Sequence, residues 1–172
     1  MDTAQLLQAI KSRWDIPTEN FLGVFPINHI PFSKCVGKFC FIYNTEPWPL
    51  EGLHWIAIGR FEEDGEVEMF DSMGRPPTRM IQSVWSPIVF NPDQIQSNCA
   101  STCGEYCVFF IYCRLKGIAY KSIVKCFDPD RRVNNDKIVS RFVTQMFDVP
   151  DRKRAYPILS RLCVQRSRAP QS

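Results

Sequence analysis

Residues 96–113, QSNCASTCGEYCVFFIYC, constrain the chain more than any other stretch. Small polar residues lead to Cys103-Gly104, and an apolar run begins at once. Over residues 105–115 that run is apolar nearly all round, so as a helix it must be buried on every side. Gly117 stands where a helix C-terminus takes a residue of positive φ. The pattern predicts a tight loop that delivers a cysteine to the N-terminus of a central helix. Unpaired backbone N–H groups and the macrodipole favour negative charge there, and a thiol so placed ionises more readily. Gly104 removes a side chain where something must come close. Taken alone, the stretch suits a buried structural cysteine equally well. Residues upstream decide between the two.

A chain of 172 residues is long enough for one domain with a proper core. We read residues 1–172 as a single domain with a basic tail from about residue 150. No apolar run reaches the length of a membrane span. The first ten residues, MDTAQLLQAI, lack the basic-then-apolar order of a secretory signal, so secretion is not expected. The eight cysteines then read as free thiols in a reducing compartment. There is no Cys-x-x-Cys pair. Cys99, Cys103 and Cys107 are spaced by four, which suits helical turns better than a zinc knuckle, and no metal is expected.

Charge is uneven along the chain. Through Cys113 seven Lys and Arg stand against thirteen Asp and Glu; from Arg114 onward it is fourteen against five. An acidic front half and a basic back half result. In the back half, Arg131, Arg132, Arg152, Lys153 and Arg154 form clusters expected in loops, a candidate surface for nucleic-acid phosphates. A solvated basic face without a partner is the alternative.

Local patterns supply the remaining elements. Leu6, Leu7, Ile10 and Trp14 recur at helical spacing, with Asp2 or Thr3 as cap. Residues 21–32, broken by Gly23, Pro26 and Pro31, read as an apolar loop. Residues 39–43 and 54–61 read as strands. Asp64-Gly65 marks a hairpin turn, and residues 67–70 return as its partner strand. One more strand is expected near 86–90, and helices over 120–127 and 134–147. The fold class is α+β: a small mixed sheet with helices packed on it, the buried central helix carrying Cys103.

A nucleophilic cysteine needs a base, and the chain has two histidines. His29 lies in an apolar loop between prolines. His54 opens a strand, and the hairpin returns Asp71 to the same end of the sheet. A carboxylate there fixes the imidazole tautomer. The Gln96 amide, seven residues before Cys103, is a candidate oxyanion donor together with the Cys103 N–H. Each residue alone has a bland structural reading. The ordered set His54, Asp71, Gln96, Cys103 is far more specific.

Those residues, with FLG at 21–23, NT at 44–45, HW at 54–55, FDSMG at 70–74 and a cysteine at 107, resemble the adenovirus protease (adenain) family of cysteine peptidases. The resemblance implies an α+β fold with a papain-like site reached in another chain order. His54 would be the base, Asp71 its orienter, Gln96 the oxyanion donor and Cys103 the nucleophile. It further implies a thiol endopeptidase cutting viral precursor and capsid proteins after Gly or small-residue motifs during virion maturation. Such an enzyme would act in the virion and the host-cell interior, in the nucleus. The family is similar to the deconjugating proteases of SUMO and ubiquitin-like modifiers, so an isopeptidase is the alternative.

No cofactor is required by the residues themselves. DNA as an activator is implied by the resemblance. The chain departs from the family in three ways. Asp71 stands where Glu is frequent. Thr102 stands where the deconjugating branch has Asp. The region near Trp85 lacks the cysteine to which adenovirus enzymes couple an activating peptide, so any peptide activator is expected to bind non-covalently or through another cysteine. A relative from another virus or a virus-like mobile element fits these features.

Overall fold

The structure is a computed structural model that describes residues 1–50 and 53–147. Five strands form one mixed sheet in the order β1-β2-β3-β4-β5. They are β1 (Phe21–Pro26), β2 (Phe39–Asn44), β3 (Trp55–Arg60), β4 (Val67–Phe70) and β5 (Ile88–Phe90). The outer pairs are parallel and the inner two antiparallel. The helices are α1 (Thr3–Lys11), α2 (Arg79–Val84), α3 (Cys103–Leu115), α4 (Tyr120–Val124) and α5 (Arg132–Met146).

Strand β2 is buried at every position because both faces of the sheet are covered. Cys40 and Ile42 turn to one side with Ala57 and Phe70, under α3. Phe39, Phe41 and Tyr43 turn to the other with Ile58 and Met69, under Trp85 and the α2 residue Ile81. The α3 side carries small residues where the helix approaches. A Cβ on Gly59 would lie 2.8 Å from that of Cys40.

Helix α3 is apolar all round for the expected reason. The sheet lies beneath it, α1 contributes Leu6, Ala9 and Ile10, and α5 contributes Val139, Phe142 and Val143. Phe110 stacks on Phe70 with ring centroids 4.8 Å apart. Each fully buried side chain of this size stabilises the fold by about 1.5–3 kcal/mol. At the far end Gly117 adopts φ 76°, and Ile118 N–H returns to the Cys113 carbonyl at 3.0 Å, a Schellman stop. The helix is thereby fixed at both ends, which holds Cys103 in place.

Several sequence readings need correction. Residues 21–32 are not a loop. They form edge strand β1 and two short 3₁₀ turns. Gly23, at φ 136°, absorbs a register shift against β2, and Pro26 is tolerated because it ends an edge strand. Helix α1 stops at Lys11, leaving Trp14 91% exposed rather than in the apolar stripe. Helix α2, capped by Thr78, had too short a pattern to be read. Cys99 lies in the loop before α3, not on a helical turn with Cys103 and Cys107. Arg131 and Arg132 stand at the start of α5, not in a loop.

Candidate active site

The hairpin register builds the first half of the site. Ala57 pairs with Phe70 across β3 and β4, so Asp71 leaves the sheet beside the residues that precede β3. There Asp71 Oδ1 lies 2.6 Å from His54 Nε2, and both residues are buried. Oδ1 also accepts the Met73 N–H at 2.8 Å. Asn91 clamps the Asp71 backbone from both sides, accepting its N–H at 3.0 Å and donating to its carbonyl at 2.6 Å. Among the described residues, Asp71 Oδ2 is buried without a hydrogen-bond partner. A buried carboxylate left so exposed electrostatically demands a cation beside it, and the imidazolium supplies one.

The turn that follows builds the second half. Gly74 N–H closes onto the Asp71 carbonyl at 2.9 Å, and the Ser72 carbonyl accepts both Ile95 and Gln96 N–H groups. Gly74 adopts φ 67°, and a Cβ there would lie 2.5 Å from the Asp93 carbonyl carbon. This close approach docks the loop of Asp71 on the loop of Gln96. The Gln96 side chain is fixed at both atoms: Oε1 accepts from Ser72 Oγ at 2.6 Å, and Nε2 donates to the Ala100 carbonyl at 2.6 Å. The second Nε2 hydrogen remains for another acceptor.

Cys103 is the first residue of α3. Its thiol sits beside the His54 imidazole and the backbone of Trp55 and Gly104, all of which favour its charged form. Burial works against ionisation, yet these contacts outweigh it and hold the thiol below its usual range. For His54 burial likewise opposes the charge. The bonds to Asp71 and Cys103 outweigh it and push the imidazole up to about 9. The two shifts describe one thiolate–imidazolium pair. Gly104 fits its expected role: a Cβ there would meet Leu6 at 3.1 Å and Met1 at 3.3 Å, so α1 packs against the helix start.

His54, Gln96 and Cys103 open into one cleft of about 440 Å³, also lined by Thr45, Glu46 and Trp55. His29 lies outside it, in a 3₁₀ turn. Arg131 is exposed and Arg132 half-buried, with the Arg131 guanidinium 3.5 Å from Asp128 and Arg132 Nε–H donating to the Pro129 carbonyl. Arg152, Lys153 and Arg154 lie outside the described residues. Seven cysteines are free thiols among the described residues. No His, Cys, Asp and Glu cluster suited to a metal ion occurs among them, and none of their helices is long and apolar enough to cross a membrane. Trp85 is buried against Phe32, Phe39 and Phe41, in the same apolar cluster as Cys35.

Sequence comparison finds proteases of adenoviruses. The protease of bovine adenovirus 7 is 30% identical over 123 residues, covering 61% of this chain and 59% of that protein. The chain is a sequence relative of the adenovirus proteases. The protease of ovine adenovirus D serotype 7 is 28% identical over 111 residues, covering 54% of this chain and 55% of its own length. The match thus spans a little over half the length of these relatives. No family model matches. Among solved structures, an ASFV protease shares the fold with a TM-score of 0.58 at 18% identity, covering 86% of this chain and 67% of that one. The family resemblance and the α+β class read from the sequence are both borne out.

Ser72, Asn91 and Gly74 were not singled out from the sequence. Ser72 and Gly74 stood inside the FDSMG motif, which was a usable signal. Asn91 carried none beyond its place in a turn.

Proposed function

We propose that the chain is a viral cysteine endopeptidase of the adenain type, cutting precursor and capsid proteins after Gly or small-residue motifs during virion maturation. The buried His54–Asp71 pair, with Cys103 beside it at the N-terminus of α3, is the observation that carries this reading. The Cys103 thiolate attacks the scissile carbonyl. Gln96 Nε2–H and the Cys103 N–H receive the oxyanion. His54 gives its proton to the leaving amine, and water then hydrolyses the thioester. Residues 1–172 act as one catalytic domain in this reading, within the virion and the host nucleus.

The test is cleavage of Gly-rich peptides and of precursor fragments, with and without a thiol alkylator, by wild type and by Cys103→Ala. Loss of cleavage in folded Cys103→Ala, with Cys99→Ala and Cys107→Ala active, supports it. An active Cys103→Ala overturns it.

A deconjugating isopeptidase is the second reading. Trp48, Leu50 and Leu53 are 69%, 61% and 78% exposed, and Leu53 lines the cleft. Such an apolar rim suits a folded modifier. Faster cleavage of modifier fusions than of free peptides favours this reading.

DNA is proposed as an activator bound without sequence preference, through Arg131, Arg132 and the cluster Arg152, Lys153 and Arg154. The charge balance of the back half supports this. Affinity for a random duplex then falls steeply with salt, and changing residues 152–154 to Ala lowers the slope. No binding by wild type at low salt leaves a DNA-independent enzyme. Trp85 occupies the region where the family's activating peptide is coupled to cysteine, so a peptide activator is proposed to bind non-covalently.

A further inference from the structure

The loop that carries Gln96 and leads to Cys103 is tied to α5 by two adjacent buried side chains. Asn135 donates to the Ile95 carbonyl at 3.0 Å. Asp136 accepts from Ser97 N–H at 3.2 Å and Thr102 Oγ1–H at 3.0 Å, and the Tyr106 hydroxyl shares its one hydrogen between Asp136 and the Ile95 carbonyl, each at 3.1 Å. Among the described residues, its carboxylate is satisfied by these donors rather than by a cation. All three belong to the segment that runs from the Gln96 loop into the first turn of α3.

The bond to Thr102 has a consequence at the sulfur. A threonine just before a helix normally turns its hydroxyl oxygen back to accept one of the first backbone N–H groups. Thr102 makes no such cap. Its backbone, at φ −97° and ψ 5°, is not in the extended conformation that capping uses. Its hydroxyl points to Asp136 instead. No capping hydroxyl therefore competes for the Gly104 N–H beside the Cys103 sulfur.

We propose that Asp136 is a positioning residue that holds Thr102 out of the capping conformation and so reserves the N-terminus of α3 for negative charge at Cys103. The inference rests on reading Cys103 as the nucleophile. Asp136 touches no reacting atom. Its own charge acts on the thiolate in the opposite sense, which lets experiment separate charge from position. His54, Asp71, Glu105, Tyr106, Cys107 and the Met1 amino group are titratable groups around this helix start, and the variants below leave them intact.

The test is the rate of Cys103 alkylation by iodoacetamide against pH, read by mass mapping, alongside peptide kcat and KM. Four full-length proteins are compared: wild type, Asp136→Ala, Thr102→Val and the double variant. In Asp136→Ala the freed threonine caps the helix. The Cys103 titration then moves up, and kcat falls roughly five- to tenfold with KM nearly unchanged, the worth of one cap. Thr102→Val cannot cap and keeps the wild-type titration. The double variant returns towards wild type, an outcome that a merely structural Asp136 would not give.

A downward move in Asp136→Ala, or a double variant no better than Asp136→Ala, overturns the proposal. Should Asp136→Ala not fold, Asp136→Leu, which fills the site but offers no acceptor to the Thr102 hydroxyl, must shift the titration upward as well. Alkylation needs no substrate, so a wild type that cleaves no peptide sinks the protease reading and leaves this test standing.

Discussion

Asp71 Oδ1 lies 2.6 Å from His54 Nε2, so the other ring nitrogen, Nδ1, is the one left for Cys103. The carboxylate fixes the tautomer and the tilt of the ring together. Since Asp71 Oδ2 has no hydrogen-bond partner among the described residues, the pair also places a buried negative charge directly beside the imidazole.

Asp71→Asn should lower kcat far more than it alters KM. In a serine triad the matching change costs about 10⁴. Here the loss should be smaller, because in the proposed reading the thiolate–imidazolium pair forms before substrate binds. Asp71→Glu should also lose activity, since Asp71 is fully buried and an added methylene overpacks the site. Steady-state kinetics on folded variants decide this. Wild-type turnover in Asp71→Ala would show that another group orients His54.

Gln96→Ala should lower kcat by about 10²–10³, the usual cost of one oxyanion donor. Gln96→Glu should be worse, because it opposes the developing charge and meets the Ala100 carbonyl. Ser72→Ala should produce a milder loss, since it frees the Gln96 Oε1 without removing the donor. An unchanged kcat in Ser72→Ala would mean that the Ala100 contact alone orients the amide.

Reactivity should follow the two shifted groups. The Cys103 thiol is held low, so alkylation at mildly acidic pH should label it ahead of Cys35, which burial pushes up to about 11. Peptide turnover should fall as pH rises through about 9, where His54 loses the proton the leaving amine needs. The same shift bears on stability. A raised imidazole contributes fully below its unfolded value near 6.5, and the contribution is lost as pH rises through about 9. Denaturant melts of wild type and His54→Gln across this window should converge at its alkaline end.

Gly74→Ala should destabilise the protein by more than about 1 kcal/mol, because φ is 67° and the new Cβ meets the Asp93 backbone. The displaced Gln96 loop should cost turnover as well. A thermal melt with a parallel activity assay checks both. A variant with wild-type melting and wild-type kcat would show that the Asp71 and Gln96 loops dock without this contact.

Much of the architecture was legible because its signals are local. The all-apolar run before Leu115, the Asp64-Gly65 turn and the apolar strands each state their own conformation within a few residues. From the hairpin alone, Asp71 had to return to His54. Where glycine and proline punctuate an apolar run, as in Phe21–Pro26, the same local reading failed. Pairing with β2 overrode it, and an edge strand accepts both residues.

By itself, then, the sequence determined the central helix and the cysteine at its start, and chain order with hairpin geometry singled out His54, Asp71, Gln96 and Cys103 as candidates. Only the tertiary structure decided how the groups are held. The Ser72 bond to Gln96, the Asn91 clamp on Asp71 and the Asp136 bond to Thr102 join residues 20–34 positions apart. No local pattern encodes such partners, because a buried polar side chain takes whichever donor or acceptor packing brings within reach.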